Sequence, residues 1–326
     1  MEVINKNKEI IGCYKCHSKL IPLSNSKSNK YPVLCPKCNS INRKIVNHCY
    51  LCNSKYSKPW GNPVRDFYTV ECKKCGLVYL KNPLTDKNQD LFYSKYMTKV
   101  HQKKKIKVKQ RAEMYKLEFN FLSAFIGLSR FKRLRTVLDV GCGGGFFLDL
   151  FKKNKFKTFG TEVGQDSFNL ASRKHKMYYG EFNKKLKINK KFDLIVMRGV
   201  VEHVKNPKVL VSFAKKLIKK DGYLFITATP NLDSVMAEMF KERWTQHRPE
   251  SHILHLKEKH LDNMIEDKNF KKIASNPLYL KTPYENFKED IKKIYKEISL
   301  NEKGIKSTLI SPPFFGNMIT AIYKKS

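Results

Sequence analysis

The stretch Val137-Leu138-Asp139-Val140-Gly141-Cys142-Gly143-Gly144-Gly145 decides the fold. A short apolar run ends in an acid and then in a glycine-rich turn, and Phe146 to Asn154 reads as the helix that follows. A buried parallel strand that stops at such a turn brings backbone N–H groups and a helix N-terminus close to a ligand. The spacing Asp-x-Gly-x-Gly-x-Gly differs from the Gly-x-Gly-x-x-Gly of dinucleotide sites and lacks the Gly-Lys-Ser/Thr of a phosphate loop. An acid at the strand end repels a pyrophosphate and suits a ligand that carries an ammonium and a sulfonium.

S-adenosylmethionine (SAM) meets that demand. Downstream, the second apolar run Thr158-Phe159-Gly160-Thr161 ends at Glu162, 21 residues past Gly141, where a carboxylate at the end of the next strand can accept both ribose hydroxyls. Further on stand Phe192-Asp193-Leu194-Ile195-Val196-Met197, leading to Glu202-His203-Val204, and Gly222 to Thr227 after a lysine-rich helix. With these four elements in order, residues 134–275 resemble the class I SAM-dependent methyltransferases. The resemblance implies an α/β fold, a Rossmann-like doubly wound seven-stranded sheet. It implies cofactor contacts from Asp139, Gly141, Cys142, Gly143, Gly145, Glu162, Met197 and Arg198. Cys142 is read as a small side chain near the ligand, not as a nucleophile.

Eight of the nine cysteines fall in four C-x-x-C pairs: Cys13/Cys16, Cys35/Cys38, Cys49/Cys52 and Cys72/Cys75. Two thiolates on a tight knuckle can converge on one tetrahedral ion. Eighteen residues separate the first two pairs and nineteen the last two, both within the zinc-ribbon range. The simplest reading is two consecutive four-cysteine ribbons holding two structural zinc ions; a cross-braced pairing has the same spacing. His17 and His48 flank knuckles and are alternative ligands, and disulfides are the alternative to metal. Four thiolates leave no open position on an ion, so the metals are expected to be structural.

The 326 residues carry 65 Lys plus Arg against 29 Asp plus Glu, a formal +36, yet only ten of the 65 are arginine. Arginine is the residue for bidentate phosphate and base recognition. The excess is lysine spread along the chain, which reads as coding bias together with a surface that attracts polyanions nonspecifically. The run His101 to Lys109 is the densest patch and reads equally as a solvated helix face. No apolar stretch approaches the roughly 20 residues that cross a bilayer, and no signal-peptide core opens the chain, so the protein is expected to be cytoplasmic, with no membrane span.

Cys72-Lys73-Lys74-Cys75-Gly76, the Asn82-Pro83 turn and Phe92-Tyr93-Ser94-Lys95-Tyr96 are similar to the entry segment of bacterial methyltransferases associated with surface polysaccharide and other glycan pathways. The expected organisation is a first ribbon at 1–44, a second at 45–80, a helical linker and pocket cover at 81–130, and the methyltransferase domain at 131–326 with a C-terminal helical insertion. Residues 103–130 read as an amphipathic helix with Met114, Leu117, Phe121, Leu122 and Phe125 on one face.

Methyl transfer to a hydroxyl requires alignment of donor and acceptor and one general base. His203 stands at the ligand edge, ahead of the Asn206-Pro207 helix start, and its ordinary pKa suits base work. The second group lies in Arg243 to His255, similar to a family loop with a Pro-Glu-His element, here with Ser251 as an extra residue between Glu250 and His252. His252 is preferred over His247 and His255 as the second catalytic histidine. Arg243, Trp244 and Arg248 are candidates to hold a sugar ring and a phosphate. The leading function is O-methylation of a nucleotide-linked sugar or glycan. An RNA methyltransferase is the alternative, although no Asn/Asp-Pro-Pro-Tyr/Phe motif follows the fourth strand. A noncatalytic SAM-binding or zinc interaction protein is the third reading.

Overall fold

A computed structural model describes residues 43–65, 67–94 and 105–326. Among the described residues eleven strands occur in chain order: β1 Ser57–Pro59, β2 Thr69–Cys72, β3 Val78–Leu80, β4 Thr136–Val140, β5 Lys157–Glu162, β6 Lys176–Tyr179, β7 Phe192–Arg198, β8 Ile218–Pro230, β9 Leu254–His255, β10 Phe270–Ser275 and β11 Met318–Lys325. Cys13, Cys16, Cys35, Cys38 and His17 lie outside the described residues, and with them the expected first ribbon.

The larger sheet runs β10-β11-β8-β7-β4-β5-β6. The pairs β4–β5, β5–β6, β4–β7 and β7–β8 are parallel, and β11 is antiparallel to both β8 and β10. This is the expected seven-stranded, doubly wound α/β sheet. All five residues of β4 are buried, as a strand covered on both faces requires. The chain builds outward from β4 through β5 to β6 and then crosses to β7 and β8, so the crevice at the carboxyl ends of β4, β5 and β7 is the ligand-binding edge.

Helices cover the sheet for local reasons. Phe146–Lys153 buries Phe147, Leu148 and Phe151. Pro207–Leu217 starts on Asn206, whose side chain accepts from the Val209 N–H, with proline in the first turn. The helix Lys105–Ile126 is interrupted at Gly127, whose φ of +84° is left-handed. Its buried face is Met114, Glu118, Phe121, Leu122 and Ile126, while Phe125 is 52% exposed. The expected face is therefore corrected: Phe125 points to solvent, and a carboxylate occupies the buried stripe.

The smaller sheet runs β1-β2-β3-β9, all antiparallel. Its first three strands carry the second cysteine ribbon. Its last strand comes from far along the chain: Val78 pairs with His255 and Tyr79 with Leu254, and the Leu80 N–H donates to the Ile253 carbonyl at 3.0 Å. Asn231, next to the end of β8, bridges Leu256 in parallel, so residues 254–256 join the two sheets. Leu77, Tyr79 and Leu80 share one apolar core with Leu138, Ile195, Ile226 and Leu254.

Residues 276–317 connect β10 to β11 and carry the helix Phe287–Glu302. Among the described residues no helix is long and apolar enough to cross a membrane.

Candidate functional site

Backbone geometry shapes the cofactor end. Gly145 sits at φ +78°, and a Cβ there would stand 2.7 Å from a ring carbon of His175. Glycine is thus required both by conformation and by the approach of His175, just after the helix Gln165–Ser172. The Gly143 N–H donates to Glu162 Oε2 at 2.8 Å, and the Val163 and Gly164 N–H groups donate to Oε1, each at 2.8 Å. Glu162 is thereby clamped at the end of β5, facing the glycine turn.

Asp139 is buried, and its Oδ1 has no hydrogen-bond partner. Burial pushes its carboxyl up to about 8, opposed by Arg198 and reinforced by Glu162 and Glu118. A buried carboxylate oxygen without a partner at a glycine loop fits a ligand that brings positive charge, as the ammonium and sulfonium of SAM do. The Cys142 thiol lies 3.9 Å from Met177 Sδ, and burial raises its pKa far above the ordinary range, which leaves no thiolate nucleophile. Met197 is fully buried.

Arg198 donates through Nε to Glu118 Oε2 at 2.6 Å and lies 4.7 Å over the Tyr115 ring. Glu118 Oε1 also accepts from Thr227 Oγ1 at 3.2 Å. Sequence reasoning missed Glu118 and Tyr115. A signal was present: Glu118 lies four residues from both Met114 and Leu122, an acid on the apolar stripe of a helix.

His203 is the centre of the other group. Its Nδ1 lies 2.8 Å from the Ser251 carbonyl and 3.1 Å from Tyr93 Oη. A carbonyl only accepts, so Nδ1 carries the proton and Nε2 keeps its lone pair. Nε2 lies 3.8 Å from Glu202 Oε1, and the His252 ring centre is 4.8 Å from that of His203. Burial holds His203 down at about 4, so it is neutral near pH 7. Burial pushes Glu202 up to about 8, with Thr229 donating to Oε2 at 3.2 Å. His252 is neutral for the same reason, its Nδ1–H donating to the Gln246 carbonyl at 2.7 Å.

The remaining histidines of the loop serve the ribbon. His247 Nε2 lies 2.9 Å from Thr69 Oγ1, and Trp60 packs on both His247 and His255. Arg65 pairs with Glu250, and Asn62 Nδ2 donates to Glu242 at 2.6 Å. The loop is therefore an anchored junction. Two of the three expected sugar and phosphate contacts are corrected on this ground. Arg243 is consumed by Glu297, at 2.6 Å and 3.0 Å, and Trp244 is buried with its indole N–H donating to Asn317. Arg248 remains exposed and makes no ion pair among the described residues; its Nε donates to the Thr245 carbonyl at 3.2 Å.

The sulfurs of Cys49, Cys52, Cys72 and Cys75 lie within 4.8 Å of one another. Cys49 and Cys75 are 3.5 Å apart, and Cys52 and Cys72 are 3.4 Å apart. A tetrahedral Zn–S₄ centre separates its sulfurs by about 3.8 Å, given Zn–S bonds of about 2.3 Å, so the four residues fit the ion. The third and fourth knuckles meet, as consecutive ribbons require and the cross-braced pairing does not. His260 supports the site from outside: Nδ1 accepts from the Lys257 N–H at 3.1 Å, and Nε2 donates to the Cys75 carbonyl at 2.8 Å.

Comparison with known proteins agrees with this fold. A family model described as a methyltransferase domain matches residues 108–275, just over half of the chain. A ubiquinone biosynthesis O-methyltransferase of Glaesserella parasuis serovar 5 is 32% identical over 106 residues, covering 28% of this chain and 44% of the relative. One from Pelagibacter ubique is 30% identical over 115 residues, covering 33% of this chain and 48% of the relative. The match thus spans about half the length of these curated relatives. The crystal structure of magnesium protoporphyrin IX methyltransferase from Synechocystis PCC 6803, solved with SAH bound, superposes with a TM-score of 0.50. It covers 73% of this chain and 98% of that one at 12% identity, a likeness of fold. The chain belongs to this methyltransferase-domain family and has the fold of the class I SAM-dependent enzymes.

Proposed function

We propose that the protein is a SAM-dependent O-methyltransferase, acting on a hydroxyl of a nucleotide-linked sugar or glycan, with His203 as general base. The observation that carries the base assignment is the fixed tautomer of His203, with Nδ1–H on the Ser251 carbonyl and Nε2 free. When bound, SAM would supply a methyl group activated by its sulfonium, the S–CH3 bond breaking as the O–CH3 bond forms and S-adenosylhomocysteine leaving. Asp139 and the glycine turn hold the cofactor's charged end, and Glu162 holds the ribose. The hydroxyl proton passes to His203 Nε2, which faces Glu202 Oε1 at 3.8 Å. His252 packs on His203 and limits its movement. Arg248 offers its charge to an acidic group of the acceptor such as a phosphate. Zinc at Cys49, Cys52, Cys72 and Cys75 is structural in this reading.

A phenolic acceptor is the second reading, favoured by the relatives, which are named for ubiquinone biosynthesis and O-methylation. The deciding experiment is a SAM-consumption screen of the zinc-loaded chain against nucleotide sugars, glycan fragments, catechols and bulk RNA. Turnover on a sugar supports the first reading. Turnover on catechols alone transfers the assignment to the second, and turnover on RNA alone sinks both.

A further inference from the structure

The helix Phe287–Glu302 turns two acids inward beside Ile294, which packs on the Trp244 cluster. Its buried side chains include Asp290, which accepts from Tyr279 Oη at 2.6 Å, and Glu297, which accepts from Arg243. Its outer side carries Phe287, Ile291, Tyr295 and Ile298, which are 48%, 41%, 74% and 41% exposed. Steps of four, four and three residues place these on one continuous stripe. Lys288, Lys292 and Lys296, all exposed and four residues apart, form the next row round the helix. A helix that only covered the insertion would bury the apolar stripe and solvate the acids. Here the acids fasten the helix to the body and leave the stripe outward.

We propose that this face docks the protein on an anionic lipid surface. The stripe enters the boundary between headgroups and acyl chains, and the adjoining lysine row meets the lipid phosphates. Charge selects this occupant. A second copy on the same stripe would bring two lysine rows together in a chain of formal charge +36. A nucleic acid would engage the lysines and leave the aromatic and aliphatic stripe in water. The approach to the helix also lies at an opening: Lys281, Thr282 and Pro283 line a cavity of about 440 Å³ with Glu113, Lys116 and Leu117.

The test is co-sedimentation of the full chain with vesicles of phosphatidylglycerol and phosphatidylcholine in equal parts, and with phosphatidylcholine alone. The expected result is binding to the anionic vesicles only. Phe287→Ser/Tyr295→Ser should weaken it by roughly tenfold, as should Lys288→Gln/Lys292→Gln/Lys296→Gln, while Phe287→Leu/Tyr295→Phe retains it. Thermal melts establish that the variants are folded, and if the serine pair is not, the glutamine triple decides. The proposal is overturned by equal binding to both vesicle types or by unchanged binding of the serine pair. It is also overturned by a dimer that the serine pair dissociates without any vesicle binding, or by binding to RNA that the serine pair leaves intact with none to vesicles. None of these measurements uses SAM or an acceptor, so their failure leaves the methyl-transfer reading untouched.

Discussion

At the cofactor end, Asp139, the glycine turn and Glu162 come from one strand–helix–strand run between Thr136 and Glu162, and Glu162 is clamped by the backbone N–H groups of Gly143, Val163 and Gly164. At the ribbon junction, groups from residues 60–80 and 242–260 meet across about 180 positions, as in the pairs Asn62–Glu242 and Thr69–His247. Backbone conformation shapes the first region; the second is held by long-range strand pairing, side-chain contacts and a four-cysteine knuckle. The cofactor end should therefore survive loss of the ribbon, whereas the base cluster should not.

Four experiments would break or sharpen that contrast. The largest effect is expected from chelating the metal or from Cys72→Ser. Structural zinc contributes on the order of 10 kcal/mol to the folding of small ribbons, so residues 43–80 should become protease-sensitive and methyl transfer fall by roughly 100-fold or more. SAM affinity, measured by calorimetry, should change less than about threefold. Equal loss of both would erase the contrast.

Next, His203→Ala or His252→Ala should slow turnover by roughly 100-fold or more with near-normal SAM affinity. A loss below tenfold in both variants would remove the histidine base. A smaller effect concerns Asp139, whose folded carboxyl stands at about 8 against an ordinary 3.8. Because the native state holds the proton longer than the unfolded one, this group favours folding at low pH. That contribution fades as pH rises through 8. SAM prefers the ionised form, so its affinity should rise about tenfold between pH 7 and pH 9, and Asp139→Asn should abolish the slope. A flat profile in the parent protein would show that Asp139 does not face the cofactor's charge. Smallest is Arg65→Ala, which removes the ion pair with Glu250 at the junction rim and should cost about 1 kcal/mol or less in a thermal melt.

The same contrast explains what the sequence could reveal. The seven-stranded sheet was legible because β4, β5, β7 and β8 are apolar runs with local turn signals, and Asp139 and Glu162 stand where such runs end. The pairing of knuckles was legible as one of two options, since spacing constrains which thiolates can meet. Arg243 misled because its partner, Glu297, lies 54 residues downstream in an insertion whose docking no local pattern encodes. Trp244 misled for the same reason, through Asn317. Glu118 was hidden inside an apolar helix face whose reading counted only hydrophobic positions.

Ser251, in the junction loop, holds the His203 proton with its backbone carbonyl. Every amino acid supplies that carbonyl, so a scan of side chains at 251 is blind to it. Which nitrogen of His203 carries the proton is set by the number of residues between Arg248 and Ile253 rather than by their identity. Ile253 is held on both sides, its N–H on the Glu202 carbonyl and its own carbonyl on the Leu80 N–H, each at 3.0 Å. Deleting one residue from the loop would have to be absorbed before that fixed point. Loop length, not composition, is then the variable that fixes the tautomer of His203.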